Sequence, residues 1–119
     1  MIRVYVAGPI SSSNSFQFLA NVGKGIKMSL RLLLDGYSPF SPFLDFQYFL
    51  LLPEGQKVSI EVMYAYSMAW LEVSNAVLVL EGWENSVGTK AEIARANMLG
   101  IPVFFSYDEL EEYKSRIIN

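Results

Sequence analysis

Nine basic and twelve acidic residues in a chain of 119 leave a net charge of -3, a length suited to one domain over residues 1–119 and a balance that argues against a nucleic-acid polymer as partner. With 52% apolar and 18% charged residues, the chain is expected to fold around a core and, being so short, to bury a subunit interface too, as a homodimer or higher homo-oligomer. The absence of His and Cys excludes histidine bases, Ser-His-Asp and Cys-His nucleophile pairs, disulfides and nearly all zinc sites, so chemistry is expected on carboxylates, hydroxyls and phenols without a cofactor.

Ile2 to Ala7 is a β-branched and aromatic run closed by Gly8-Pro9, which predicts a buried strand and a turn. From Phe16 to Leu34 apolar residues recur at helical spacing; Asn14 or Ser15 is the expected cap and Gly36 the stop. Gly23 and Gly25 weaken that helix and are read as points of close packing. Tyr37 to Phe40 predicts a second short strand, which Pro39 and Pro42 confine to a sheet edge or end early. Phe43 to Leu52 is an aromatic-rich cover segment and a candidate subunit contact; Asp45 and Gln47 interrupt it, so it is too short and polar to span a bilayer. With no signal-peptide pattern at the N-terminus, a soluble cytoplasmic protein without a membrane partner is expected.

Val58, Val62, Met63, Tyr66, Ala69, Trp70 and Val73 are spaced as the buried stripe of a second helix ending near Ser74-Asn75. Ala76 to Leu80 is uninterrupted and apolar, as a strand covered on both faces would be. A third helix is expected from about Gly88 to Leu99, a fourth strand over Ile101 to Phe105 and a last short helix capped by Asp108. This alternation predicts an α/β fold with a parallel sheet of four to five strands and helices on both faces.

In such a sheet, ligands bind beyond the carboxyl ends of the strands, where the strand order reverses. Two loops are expected there, Ala7 to Ser13 and Glu81 to Gly88, each with glycines and hydroxyls near a helix N-terminus, an arrangement that favours an anion. Neither the G-x-G-x-x-G nor the P-loop pattern occurs, which argues against dinucleotides and NTP hydrolysis. Glu92, one turn beyond Gly88, is the candidate catalytic carboxylate, and the helix dipole is expected to help keep it ionised. Lys24, Lys27 and Arg31 read as a solvated face; Trp83 and Tyr64 are candidates for stacking on a base, although such residues more often serve packing.

Tyr5-Val6-Ala7-Gly8-Pro9, Asn75 to Trp83, Ser86-x-Gly88-x-x-x-Glu92-x-Ala94 and Gly100-Ile101-Pro102-Val103 together resemble the nucleoside 2-deoxyribosyltransferase superfamily, including its small nucleoside 5'-monophosphate N-glycosidases. The resemblance implies a flavodoxin-like, Rossmann-like three-layer fold, with a nucleoside or nucleotide as the small-molecule partner. It further implies Glu92 as nucleophile at the anomeric carbon, Tyr5 as its orienter and Ser86 as a contact of the 5'-phosphate; Gly8, Pro9, Ser11 and Gly88 are expected to complete that site, with Trp83 as a further substrate contact. The chemistry is coherent: N-glycosidic cleavage builds oxocarbenium-like charge, which a fixed carboxylate stabilises or traps.

The chain departs from the family at two points. Ser67 stands where an aspartate on the preceding helix would serve the leaving base, and the first loop lacks an arginine. Three outcomes stay open for the acid: another acid substitutes, a water acts slowly, or the protein binds a nucleotide without cleaving it, with Ser67 as a substrate contact. The functions to be separated are therefore an N-glycosidase or transferase, a non-catalytic nucleotide-binding module, and an interaction protein of the same fold.

Overall fold

The computed structural model describes residues 1–118. Strand β1 (Arg3–Ala7) is followed by helix α1 (Ser15–Leu34), strand β2 (Ser38–Phe40), a 3-10 turn (Pro42–Leu44) and the short helix α2 (Phe46–Leu50). Then come helix α3 (Ile60–Leu71), strand β3 (Ala76–Val79), a second 3-10 turn (Trp83–Asn85), helix α4 (Val87–Leu99), strand β4 (Val103–Phe104) and helix α5 (Tyr107–Ile117). All three strand pairings are parallel, in the order β2-β1-β3-β4. β2 is an edge strand, in keeping with Pro39 within it and Pro42 just beyond it.

Side chains on a strand alternate between faces, and here the alternation sorts the core into two clusters. Val4 and Val6 of β1, with Ala76 and Leu78 of β3, pack with Leu32, Tyr37, Phe43 and Leu110 on the face covered by α1 and α5. Tyr5 and Ala7, with Val77 and Val79, pack with Leu71 and Ala96 on the face covered by α3 and α4. Tyr5 therefore points toward the helix that carries Glu92. The chain leaves β1 to either side of it, toward β2 and toward β3, so the order reverses between β1 and β3. There the Leu80 N–H donates to the Ala7 carbonyl at 2.8 Å.

Local signals explain most element ends. The Asn14 side chain accepts from the Phe16 and Gln17 N–H groups to start α1, and Gly100, at φ 73, ends α4. The two α1 glycines part company. A Cβ on Gly25 would lie 2.0 Å from the Phe43 ring, whereas nothing stands within 4 Å of one on Gly23. Close packing thus explains Gly25 alone.

Two further expectations are corrected. Ser106, whose hydroxyl accepts from the Glu109 N–H, caps α5, and Asp108 falls inside the first turn. The apolar stripe assigned to α3 is not buried: Val62 is 57% exposed, Val73 50% and Trp70 48%, and Leu71 alone of this helix is fully buried. The sequence α3 presents is apolar almost all round, so periodicity does not single out the inward face. Among the described residues, no helix is long and apolar enough to cross a membrane.

Candidate active site

The site forms where β1, β3 and the start of α4 converge. The Tyr5 phenol donates a hydrogen bond to the Glu92 carboxylate. Burial pushes Glu92 up to about 7, outweighing the Tyr5 hydrogen bond, which acts in the opposite direction. Desolvation thus works against the help expected from the helix dipole. A dipole acts most strongly in the first turn, whereas loss of hydration acts on the whole charge. Tyr5 itself is pushed well above the ordinary phenol range, first by burial and then by the Glu92 charge and hydrogen bond, so it remains a donor throughout the working pH range. Ser67 faces the same phenol and acts in the opposite sense. This half-buried serine on α3 joins the site.

The two loops meet. A Cβ on Gly82, whose φ is 87, would approach Pro9 Cγ to 3.3 Å, and one on Gly8 would lie 2.9 Å from Leu80 Cβ. Both glycines let the first loop lie against the third strand's exit. The Ser86 side chain caps α4, accepting from the Thr89 N–H at 3.2 Å and the Thr89 hydroxyl at 2.8 Å. The N–H groups of Val87 and Gly88, in the first turn of α4, lie outside the helical ladder. A Cβ on Gly88 would lie 3.1 Å from the Tyr64 hydroxyl, so Tyr64 borders this end of the site. Ser11 is exposed beyond the first turn, outside the Tyr5–Glu92 pair. Trp83 packs against Phe105, with ring centres 5.2 Å apart, and against the second core cluster; one of its faces is therefore committed to packing.

Sequence reasoning did not assign the neighbouring cavity. Phe40 stacks on Tyr5 at 5.6 Å and on Trp70 at 5.5 Å. The same Phe40 lines a cavity of about 320 Å³ together with Ser41, Asp45, Gln47, Tyr48 and Tyr66. Asp45 is 9% exposed, and burial pushes it up to about 6. Its charge is felt at both Tyr5 and Tyr66. The one legible signal was that Asp45 is the only charged residue between Asp35 and Glu54.

Residues 2–105 match a family described as a domain of unknown function, DUF4406. No curated protein matches the sequence. Solved structures share the fold, two of them as follows. One is a conserved protein from Enterococcus faecalis V583, 20% identical over 87% of this chain and 61% of its own length, with a TM-score of 0.60. The other is a 2-deoxyribosyltransferase from the psychrotolerant bacterium Bacillus psychrosaccharolyticus, 22% identical over 85% of this chain and 69% of its own, with a TM-score of 0.56. The chain spans less than two thirds of the Enterococcus protein. The resemblance to the deoxyribosyltransferase superfamily holds at the level of the fold.

Proposed function

This chain belongs to the DUF4406 family, and from that premise and the site's geometry we propose that it cleaves or transfers the N-glycosidic bond of nucleosides or nucleoside 5'-monophosphates. The observation that carries the proposal is the Tyr5–Glu92 hydrogen bond at the point where the strand order reverses. A half-buried carboxylate, oriented by a phenol that does not ionise, suits nucleophilic attack on a sugar carbon. An oxygen of ionised Glu92 bonds to the anomeric carbon as the bond to the base breaks and its electron pair leaves with the base. Water, or a second base, then releases the sugar from the Glu92 ester. Ser86 and the free N–H groups of Val87 and Gly88 favour a 5'-phosphate at the head of α4. The shared fold with a 2-deoxyribosyltransferase supports the same reading.

The test is incubation with a panel of nucleosides and nucleoside 5'-monophosphates, with free base detected by chromatography. Base release that is lost in Glu92→Ala is the expected result. Thermal stabilisation by a nucleotide without base release would instead identify a binding module.

A second copy of the chain is proposed to cover α3 and the segment before it. The accessible surface is 7595 Å², whereas a compact 13.4 kDa monomer exposes about 6,500 Å². The excess includes Ile60 at 70%, Val62 at 57% and Leu51 at 83% exposure. Such an apolar patch marks an interaction surface.

A further inference from the structure

Ser67, the α3 residue that faces Tyr5, is not an acid, yet the cavity beyond Phe40 holds a carboxyl. Asp45 lies at the junction of the 3-10 turn and α2, nine-tenths buried. Among the described residues its carboxylate has no hydrogen-bond or ion-pair partner. Ser41 Oγ is the one side-chain polar atom that is both fully buried and unpartnered among the described residues, so the Asp45 oxygens keep contact with solvent through the cavity. Ser41 lines the same cavity, and its buried hydroxyl likewise has no partner. A buried unpartnered hydroxyl beside an unpaired carboxyl in one aromatic-walled cavity is the pattern of a site completed by a ligand with its own polar edge.

One ring separates the cavity from the Tyr5–Glu92 pair. Phe40 is a wall of it and stacks on the Tyr5 ring, and Tyr5 holds Glu92. Tyr48 and Tyr66, set edge to face with ring centres 6.4 Å apart, add aromatic surface to the same cavity. Resting on the glycosidase reading above, we propose that this cavity receives the nucleobase and that Asp45 is the general acid that protonates it. As Glu92 bonds to the anomeric carbon, the Asp45 proton passes to a ring nitrogen or oxygen of the base, which takes the electron pair of the broken bond. In hydrolysis, Asp45 then accepts a proton from the water that displaces Glu92, which returns both carboxyls to their starting states.

Burial raises the protonated fraction of Asp45; because burial raises Glu92 further, the competent state, Glu92 ionised with Asp45 protonated, is the minority form of the pair and peaks near neutral pH. The titratable groups facing Asp45 are Tyr5 on β1, Tyr48 on α2 and Tyr66 on α3. No lysine or arginine lines the cavity to hold Asp45 ionised.

A leaving group that needs no proton separates this role from a structural one. The probes are the natural nucleotide that the wild type cleaves and an activated counterpart, N7-methylated for a purine or 5-nitro-substituted for a pyrimidine. Asp45→Asn is expected to slow cleavage of the natural substrate by about 100-fold or more and that of the activated substrate by less than about threefold. The wild type supplies a readout that needs no variant. Its kcat/KM for the natural substrate should decline above neutral pH, and that decline should vanish with the activated one. Equal losses on both substrates, together with a decline common to both, overturn the assignment of Asp45 while leaving the glycosidase reading intact. Base release from neither substrate by the wild type overturns the glycosidase reading itself, and this inference with it.

Discussion

Tyr5 and Glu92 lie 87 positions apart and share one hydrogen bond, which couples the first strand of the sheet to the helix after the third. The phenol is a fixed donor, since its burial beside a carboxylate keeps it protonated. The carboxylate is poised near neutrality because desolvation outweighs that donor. Each group therefore sets the state of the other.

Replacing Tyr5 by Phe keeps the ring that stacks on Phe40 and removes the donor. A hydrogen bond to a charged group is worth about 1.5–3 kcal/mol, so kcat/KM should fall about 10- to 100-fold. Because the Tyr5 bond lowers the Glu92 value, its loss moves the acidic limb of the pH profile upward. A pH–rate series on the wild type and Tyr5→Phe checks both effects; a limb that stays in place would show that the phenol does not tune the carboxylate.

Stability should carry the same signature. Glu92 is raised from 4.5 to about 7 in the folded state, so between those values the folded chain binds more protons than the unfolded one, and stability falls as pH rises. Glu92→Gln should then be more stable than the wild type at pH 8, by on the order of 3 kcal/mol, and nearly equal to it at pH 4. Urea denaturation at the two pH values measures the difference.

The paired glycines of α1 make opposite predictions. Gly25→Ala drives a methyl into the buried Phe43 ring and should destabilise by about 1–3 kcal/mol through overpacking. Gly23→Ala meets open space and should stabilise by up to about 1 kcal/mol through helix propensity. Thermal melts of the two variants decide whether the segment after β2 is held against α1 as described.

Ser86→Ala removes the cap of α4 and should lower stability by about 1 kcal/mol. If its hydroxyl also meets a phosphate, KM should rise for a nucleoside 5'-monophosphate and stay nearly constant for the corresponding nucleoside. Equal changes for both substrates would confine Ser86 to its capping role.

A charge on α3 should expose the second copy. Ile60→Asp places a carboxylate on a residue that is 70% exposed, where it harms a monomer little but desolvates at an interface. Sedimentation velocity should show assembly for the wild type and its loss in the variant, with both still folded by circular dichroism. A wild type that sediments as a monomer at all concentrations would remove the proposed interface.

Local chemistry made the parallel sheet, its edge strand and the ends of α1 and α4 legible in the sequence. Unbroken apolar runs, proline and a left-handed glycine act over a few residues, whatever surrounds them. The fully buried β3 and the edge position of β2 followed from that alone. Tertiary structure decided which groups meet and what ionisation follows. The inward face of α3 was hidden because the helix is apolar almost all round. The protonation of Glu92 depended on how much water its neighbours exclude. Asp45 read as a lone acid in a greasy segment until the fold set it in the cavity beyond Phe40, because desolvation and cavity walls are made by residues distant in the chain.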